Sequence, residues 1–350
     1  MTSFTKTEIQ FAYRLIKEFE TPNPWIYWLD LVGTIVLFWS SLFLSFTYDD
    51  FLLKCAFELI SILSLYRGML FVHEITHLKK NTVPGLSIFW NCALGIPLLM
   101  PSYIFESHHD HHARERYATD QDPEYDFYAT SPISVLFLYL SSGIYMPFVL
   151  IARQSILVPL SYFISPVRTF LDEQGSGATI HNRYRRKKPT NKTKLRTWRC
   201  VEALSAIICL SWIGLVIEGV IPLSFFGHLL IAAIFAFTLN NFRSVTSHRF
   251  ALTKGPYDFD KQVSDSLNFD QGKLWVHLWA PVGMRYHALH HLFPNLPYHN
   301  LTKAHQKLLR DLPPHSPYRN VNQAHYWGAF NQLLYAIQKN KRSLGHTQQE

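Results

Sequence analysis

Long apolar stretches, separated by short polar turns, recur along much of this chain. A helix that crosses a bilayer needs about 20 mostly apolar residues, and four stretches meet that requirement. They form two hairpins, because Asp49 and Asp50 interrupt the first pair and the helix breakers Gly219 and Pro222 interrupt the second. The predicted crossings are residues 28–47, 51–72, 201–220 and 221–240.

Two further apolar stretches contain helix breakers and do not fit a simple crossing. Residues 86–105 are interrupted by Gly95, Pro97 and Pro101, which favours a re-entrant or interfacial segment. Residues 133–164 are too long for one straight crossing and contain two more prolines. This second stretch is predicted to make two short crossings or none.

The pattern predicts an all-α polytopic membrane protein with about four transmembrane helices in two hairpins. Interfacial or re-entrant helices and a cytosolic helical cap complete the fold. We expect one domain over residues 1–350, because no linker or internal repeat divides the chain. Its parts are an N-terminal interfacial lead-in (1–27), the first hairpin (28–72), a segment with polar motifs and a basic loop (73–199), the second hairpin (201–240) and the cap (241–350).

Composition supports a membrane protein and argues against several other classes. The chain is 48% hydrophobic and 17% charged, with a formal net charge of +8. Much of this charge lies in residues 183–199, which contain nine Lys or Arg and no acidic residue. Beside a membrane such a run marks the cytosolic face, where it contacts anionic lipids or docks an acidic electron carrier, so no nucleic-acid partner is expected. The four cysteines form no CxxC pair, which argues against a disulfide framework or an iron–sulfur site.

Histidines are concentrated at the borders of the apolar stretches, in three short boxes. The boxes are HEITH at 73–77, HHDHH at 108–112 and HALHH at 287–291, and His248 lies between the second hairpin and the third box. Imidazole is a common metal ligand, and ionisable residues at membrane borders usually have a function. A re-entrant segment at 86–105 would keep all three boxes on the side of the basic run.

Helical spacing lets each box direct several imidazoles at a common point, since positions i, i+3 and i+4 share a face. Eight or nine such ligands are enough for two metal ions, although imidazole alone does not select the metal. His109 lies about 100° around the helix from the rest of its box and is expected to be an outer or spare residue. The candidate metal-ligating and catalytic residues are His73, His77, His108, His111, His112, His248, His287, His290 and His291.

Carboxylates near the boxes could fix the imidazole tautomers. For any one of them, an ordinary exposed position is the stronger expectation, because most Asp and Glu side chains are exposed. The candidates are Glu74, Glu106, Asp110, Asp120, Asp122 and Asp265.

Two other functions compete for these histidines. HExxH is also the motif of zinc proteases, but a catalytic zinc uses three protein ligands and would leave most of the boxed histidines unexplained. A metal transporter would place its ligands within the spans near the bilayer midplane, whereas these boxes lie at span ends. Both interpretations are weaker than a dimetal enzyme acting on a bilayer substrate.

The ordered set HExxH, HxxHH, HxxHH resembles the integral-membrane fatty acid desaturase and hydroxylase superfamily. Similarity to bacterial fatty acid desaturases extends beyond the boxes, over a region from about Leu29 to Pro317. Some relatives have an Asn four residues before the additional histidine, where this chain has Ser244, and Asn241 could contact a metal-bound water instead. The matching segments are NFRSVTSHR at 241–249, DSLN at 265–268, APVG at 280–283 and RYHALHHLFPNLPYHNLTKAH at 285–305.

The resemblance implies a non-haem enzyme in which the nine histidines bind two iron ions and O2 is the co-substrate. It implies desaturation of an acyl chain carried by a lipid or a thioester, and a hydroxylase or carotenoid ketolase on the same scaffold is the alternative. Because the sequence has no haem-binding HPGG segment, electrons would come from a separate donor of the ferredoxin or cytochrome b5 type. The boxes would face the cytosol, from a bacterial inner membrane or from the endoplasmic reticulum of a eukaryote.

Overall fold

The computed structural model is mostly helical and describes residues 4–181, 183–252, 255, 258–270 and 275–347, with side chains described through residue 339. Two short strands, β1 (Asn268–Phe269) and β2 (Asn322–Gln323), pair in parallel. The helices are α1 (Lys6–Ile16), α2 (Pro24–Thr47), α3 (Phe51–His77), α4 (Leu86–Trp90), α5 (His108–His112), α6 (Ile133–Ala152), α7 (Val158–Ser161), α8 (Ser165–Glu173), α9 (Lys192–Ile217), α10 (Leu223–Ser244), α11 (Phe259–Asp265), α12 (Trp275–Trp279), α13 (His287–Leu292), α14 (Leu301–Asp311) and α15 (Tyr326–Thr347). The π-helical segments are Asn91–Gly95 and Arg153–Leu157, and the 3₁₀ turns are Lys17–Phe19, Ser102–Ser107, Tyr128–Thr130, Tyr298–Asn300 and Pro317–Val321.

Five helical segments in the described part of the chain are long and apolar enough to cross a membrane. Four of them, α2, α3, α9 and α10, correspond to the four crossings expected from the sequence, although α9 ends at Ile217 and α10 begins at Leu223. The fifth is the continuous segment Ile133–Ser161. The prediction of an all-α polytopic membrane protein is confirmed.

Local sequence explains where the long helices begin. Asn23 caps α2 by accepting a hydrogen bond from the Trp25 N–H, and Pro24 occupies the first helical position, where no N–H is needed. Asp50 caps α3 in the same way, accepting from the Leu53 N–H at 2.9 Å. The tight hairpin between α2 and α3 therefore follows from polar residues placed between two apolar runs.

Helix α3 continues beyond its expected end at residue 72 and includes the first histidine box in its last turn. Its 27 residues make a helix about 40 Å long, which exceeds the hydrocarbon thickness of about 30 Å. The excess length is enough to carry His73 and His77 past the apolar layer on a rigid helix.

Polar side chains within α3 find partners on neighbouring helices. Arg67 forms an ion pair with Asp30 of α2. Glu58 lies 2.7 Å from Nδ1 of His228 on α10. These two polar residues of α3 therefore point into the bundle.

The segment after α3 turns back instead of crossing. Helix α4 and the π-helical segment Asn91–Gly95 are too short to span, and a 3₁₀ turn leads directly into α5. The rings of His73 and His108, which lie at opposite ends of this segment, are only 4.7 Å apart between centroids. The segment therefore begins and ends on the same side of the molecule, as expected for a re-entrant element.

The stretch that follows is one continuous helix, so the possibility of two short crossings within it is wrong. Pro147 is accommodated inside α6, and the π-helical segment just before Pro159 re-routes the backbone hydrogen bonds that proline cannot make. Near one end, the backbone carbonyl of Tyr139 accepts a hydrogen bond from Asn241, close to the histidine end of α10. Near the other, Arg153 donates to Tyr103, five residues before the second box. These contacts tie both ends of the segment to elements near the histidine boxes. The segment is also long and apolar enough to cross a membrane, so the absence of a crossing stays a prediction.

Hydrophobic packing joins the bundle to the third box. Helices α2, α3, α4 and α10 share one core, and α1, α13 and α14 share a second. Gly283, just before α13, has a φ of +72° and lies so close to α14 that a Cβ would be 2.5 Å from Leu301 Cδ1. Only glycine allows this turn, which packs α13 and its histidines against α14.

Candidate metal centre

The nine candidate histidines converge in two neighbouring groups, within each of which one ring nitrogen per residue lies within 4.8 Å of all the others. We call them the five-histidine group and the four-histidine group. The first consists of His73, His77, His108, His112 and His290, and the second of His111, His248, His287 and His291.

Short, well-anchored elements position these rings. The first box ends α3, the second forms α5 and the third opens α13. His248 follows α10 and is held by an antiparallel bridge to Ser266. The Leu289 N–H donates to the Asn268 side chain at 3.1 Å, which fixes α13 against β1.

The second and third boxes each contribute to both groups, which the sequence did not predict. His108 and His112, four residues apart, join the five-histidine group, while His111 joins the other. In the third box, His287 and His291, also four residues apart, join the four-histidine group, and His290 joins the five-histidine group. The expectation that each box directs its rings at one common point is therefore wrong for the second and third boxes, whereas both histidines of the first box join one group. Consecutive helical positions differ by about 100°, so neighbouring histidines in a box point in different directions.

Ring nitrogens face one another at distances that suit shared coordination. Nε2 of His248 lies 3.1 Å from Nε2 of His111 and 2.8 Å from Nε2 of His287, which in turn lies 3.0 Å from Nε2 of His291. Each Nε2 of a neutral ring has either one hydrogen or one lone pair, so such a chain cannot be fully satisfied by hydrogen bonds. Nitrogens bound at right angles about 2.1 Å from one ion would be about 3 Å apart. The chain fits a metal ion better than a hydrogen-bond network.

His73 gives the same indication in the five-histidine group. Its side chain is buried, and neither ring nitrogen has a hydrogen-bond partner. A buried polar atom without a partner is costly, and a metal ion would satisfy it. Nε2 of His290 lies 3.1 Å from Nε2 of both His77 and His112, so this group also has converging nitrogens.

Electrostatics keep most of these rings in the neutral form that binds metal. Burial, followed by the neighbouring histidines, lowers the pKa of most of the rings outside the membrane helices well below the ordinary value. These are His108, His112, His248, His287, His290 and His291. For His111, burial lowers the pKa but the Asp122 carboxylate raises it, and the net direction is upward.

Two carboxylates contact the second box directly. Asp122 Oδ1 lies 2.8 Å from His111 Nδ1, and Glu124 Oε1 lies 2.6 Å from His108 Nδ1. Asp122 also accepts hydrogen bonds from the backbone N–H groups of Ala118 and Glu124, so its position is fixed. Burial raises the pKa of Glu124 to about 7. Because each carboxylate contacts Nδ1, it leaves Nε2 of its ring available as a ligand.

Polar side chains hold two rings of the four-histidine group. The Tyr117 hydroxyl lies 3.0 Å from His248 Nδ1 and donates to Asp265 at 3.0 Å. Gln262 donates to the backbone carbonyl of His111 and contacts His291 Nδ1 at 3.2 Å. The sequence analysis missed Glu124, Tyr117 and Gln262, because each is distant in sequence from the ring it holds.

The six acidic candidates divide into two sets. Asp122 contacts a ring and Asp265 acts through Tyr117, whereas Glu74 lies 3.9 Å from His73 Nδ1 and its hydrogen bonds go elsewhere. Glu74, the acid of HEITH, accepts from the Tyr27 hydroxyl at 2.7 Å and from the Tyr298 N–H at 3.1 Å. It is therefore not placed as the general base of a zinc protease. The remaining three form ion pairs, Glu106 with Lys194, Asp110 with Arg116 and Asp120 with Arg183.

Two further expectations concerned His109 and Asn241. His109 is exposed and belongs to neither group, in agreement with its position on the helix. The Asn241 amide donates to the Tyr139 carbonyl and the Ser142 hydroxyl. This residue ties α10 to α6, and its contact with a metal-bound water stays a prediction.

A cavity of about 350 Å³ opens onto both groups, touching His73 and His108 of one and His248 and His287 of the other. A second cavity of about 460 Å³ lies among the apolar helices. The two share four lining residues, Met69, Met100, Leu150 and Phe237. Both volumes lie in the range of small-molecule sites. The two cavities are therefore adjacent, one among the apolar helices and the other beside the histidines.

Comparison with known proteins places this geometry in context. The family model described as fatty acid desaturase matches residues 51–322. A ceramide hydroxylase from Caulobacter vibrioides is 34% identical over 308 residues, covering 86% of each chain. No solved structure matches the chain.

Proposed function

Because the chain belongs to the fatty acid desaturase family, we propose that it is an O2-dependent membrane hydroxylase that acts on a ceramide-like lipid. The observation that carries this proposal is the cavity that meets two rings of each histidine group and adjoins a second cavity between apolar helices. Such a space suits a substrate with a long hydrocarbon chain. Similarity to a ceramide hydroxylase over most of both chains supports hydroxylation over desaturation.

The proposed cofactor is a pair of iron ions, one held by each histidine group. The nine residues fit it, because buried neutral imidazoles converge at ligand-like distances and His73 has no other partner. A bound iron pair would supply the activation of O2, which none of the side chains here provides.

Hydroxylation converts a C–H bond into a C–OH group. One oxygen atom of O2 enters the product and the other leaves as water, while two electrons and two protons are supplied from outside. We propose a separate small redox protein as the electron source. We propose that the lipid reaches the site from the bilayer, because the cavity at the histidines adjoins the cavity among the apolar helices.

The residues of the chain itself have binding and positioning roles. Asp122 and Glu124 hold His111 and His108 through Nδ1, so that each ring presents Nε2 inward. Tyr117 and Gln262 restrict His248 and His291 in the same way. Met69, Met100 and Phe237 line both cavities, where they exclude water from the hydrocarbon chain.

Desaturation is the second candidate, favoured by the family model that matches most of the chain. It uses the same O2 and the same electrons but removes two hydrogens and leaves no oxygen in the lipid. The two reactions therefore differ in their products and not in the cofactor they need.

Mass spectrometry of lipids from a host that makes ceramide, with and without this chain, tests the proposal. Growth under isotopically labelled O2 should place one labelled oxygen in a ceramide. A variant with His287→Ala should lose the product, whereas His109→Ala should retain it. A new double bond without a labelled oxygen would establish the desaturase instead, and an unchanged lipid profile would refute both.

A further inference from the structure

Arg243 is a buried cation that forms no ion pair with the described residues. Its side chain is 8% exposed, donates to the Asn240 amide oxygen at 3.0 Å and to the Ser247 hydroxyl at 3.1 Å, and also interacts with the Tyr66 hydroxyl. Its Nε has no hydrogen-bond partner. No carboxylate in the described part of the chain lies within ion-pair distance of it. A buried charge in this situation is costly unless something else compensates it.

The other buried arginines have such compensation. Arg153 forms an ion pair with Glu202 at 2.8 Å. Arg186 donates to two backbone carbonyls and lies 3.8 Å from the centre of the Trp198 ring. Arg285 lies over the Tyr286 ring. Among the described buried arginines, Arg243 therefore differs in having neither a carboxylate, a backbone carbonyl nor an aromatic ring as its partner.

Arg243 also lines the cavity that meets the histidines. The acidic residue that lines it among the described residues is Glu124, which is already bonded to His108. Asn240, Ser244 and Ser247 line the same cavity, so its wall beside Arg243 is polar. The neighbouring cavity has an almost entirely apolar lining. A molecule that fills both spaces must be polar at one end and apolar at the other.

Bound metal ions would add positive charge to a cavity that already has this guanidinium. Neutral imidazoles do not offset that charge, and Glu124 and Asp122 are engaged with their rings. Arg243 can donate hydrogen bonds here to oxygen atoms with free lone pairs, because its guanidinium has N–H donors around its plane and no acceptor.

We infer that Arg243 binds the oxygen atoms at the polar end of the substrate, the amide carbonyl or hydroxyls of a ceramide-like lipid. This inference rests on the proposed function and adds the orientation of the lipid to it. The hydrocarbon chain lies in the apolar cavity between the helices. Because the polar cavity also contains the histidine rings, the carbon that reacts lies near the polar end of the lipid and not in the middle of its chain.

A purely structural role for Arg243 is the competing explanation. Arg243 lies in the last turn of α10, where the carbonyl end of the helix favours a cation. In that case its replacement would lower stability but would not change which lipid binds. The two explanations therefore separate in a binding experiment.

The test measures lipid binding to the metal-free full-length protein in detergent. The probes are a fluorescent ceramide and a fluorescent hydrocarbon without polar groups. We expect Arg243→Met to weaken ceramide binding by about tenfold or more, as expected for one charge-assisted hydrogen bond. It should leave hydrocarbon binding unchanged, and Arg243→Lys should restore part of the ceramide affinity. Arg319→Met is the matched control, since Arg319 donates to backbone carbonyls outside the cavity.

Equal ceramide binding by wild type and a folded Arg243→Met variant would overturn the inference. So would an equal loss of affinity for both probes. A second readout is the position of the oxygen in the wild-type product, determined by fragmentation in the mass spectrometer. Oxygen in the middle of the hydrocarbon chain would refute the inference while leaving the hydroxylase intact. If no lipid is oxidised, the proposed function fails, and the binding experiment still decides the role of Arg243.

Discussion

The two histidine groups differ in how firmly the protein encloses them. All members of the four-histidine group are buried, whereas His77 and His112 of the five-histidine group are only partly buried. Three rings of the four-histidine group contact polar side chains through Nδ1. In the five-histidine group, by contrast, the described residues give one ring a hydrogen-bond partner at Nδ1, which is Glu124 on His108. We conclude that one site is fixed by outer contacts and the other by its larger number of ligands.

Removing one ring from either group should have the largest effect. We expect His287→Ala and His290→Ala each to reduce turnover by more than the roughly 100-fold that loss of an outer partner gives. Each variant should also lose iron from the group it affects. Turnover and iron content per chain check both statements. If turnover is unchanged after a ring is removed from one group, the two groups do not act together.

Changing the carboxylates that contact the rings should affect metal binding less than removing a ring, and each change should affect one histidine group more than the other. Asp122→Asn should weaken metal binding to the four-histidine group by about 10- to 100-fold. Glu124→Gln should act on the five-histidine group and by less, since that group has one more ligand. Competition with a chelator, followed by metal analysis, measures both affinities. An equal effect of the two variants on both metal ions would contradict the assignment of one carboxylate to each group.

Tyr117→Phe should have a moderate effect, mainly on stability. It removes the hydroxyl between His248 and Asp265 and leaves buried polar atoms without that partner. The expected loss in free energy of unfolding is about 1–3 kcal/mol. Thermal unfolding of the metal-free protein, compared with wild type, measures it. No loss would mean that this hydrogen bond does not hold His248.

His109→Ala should have the smallest effect, although it alters the second box. The side chain is exposed and outside both groups. Turnover and metal content should stay within about twofold of wild type, as for most surface substitutions. A large loss would show that His109 takes part in the site.

Much of the fold follows from apolar length alone. The four helices α2, α3, α9 and α10 contain runs long enough to span, with capping residues or helix breakers between them. The continuous helix within residues 133–164 was not predicted, because the prolines in this range indicated breaks. A π-helical segment accommodates Pro159 without ending the helix, and tertiary contacts decide such local adjustments.

The site was predictable in membership but not in arrangement. Spacing within the boxes identified eight histidines and the family resemblance added His248. Neither showed that His111 and His290 would join a different group from the other ligands of their own box. That division depends on how α5 and α13 lie against each other, which no local pattern encodes. Glu124 was missed because a loop of 11 residues between 112 and 124 folds back to His108.

The most direct test of the account is to locate the metal ions in the active protein. We predict two iron ions per chain, with anomalous scattering from crystals giving one peak within each histidine group. One ion shared by all nine rings, or an active protein without iron, would contradict the central claim.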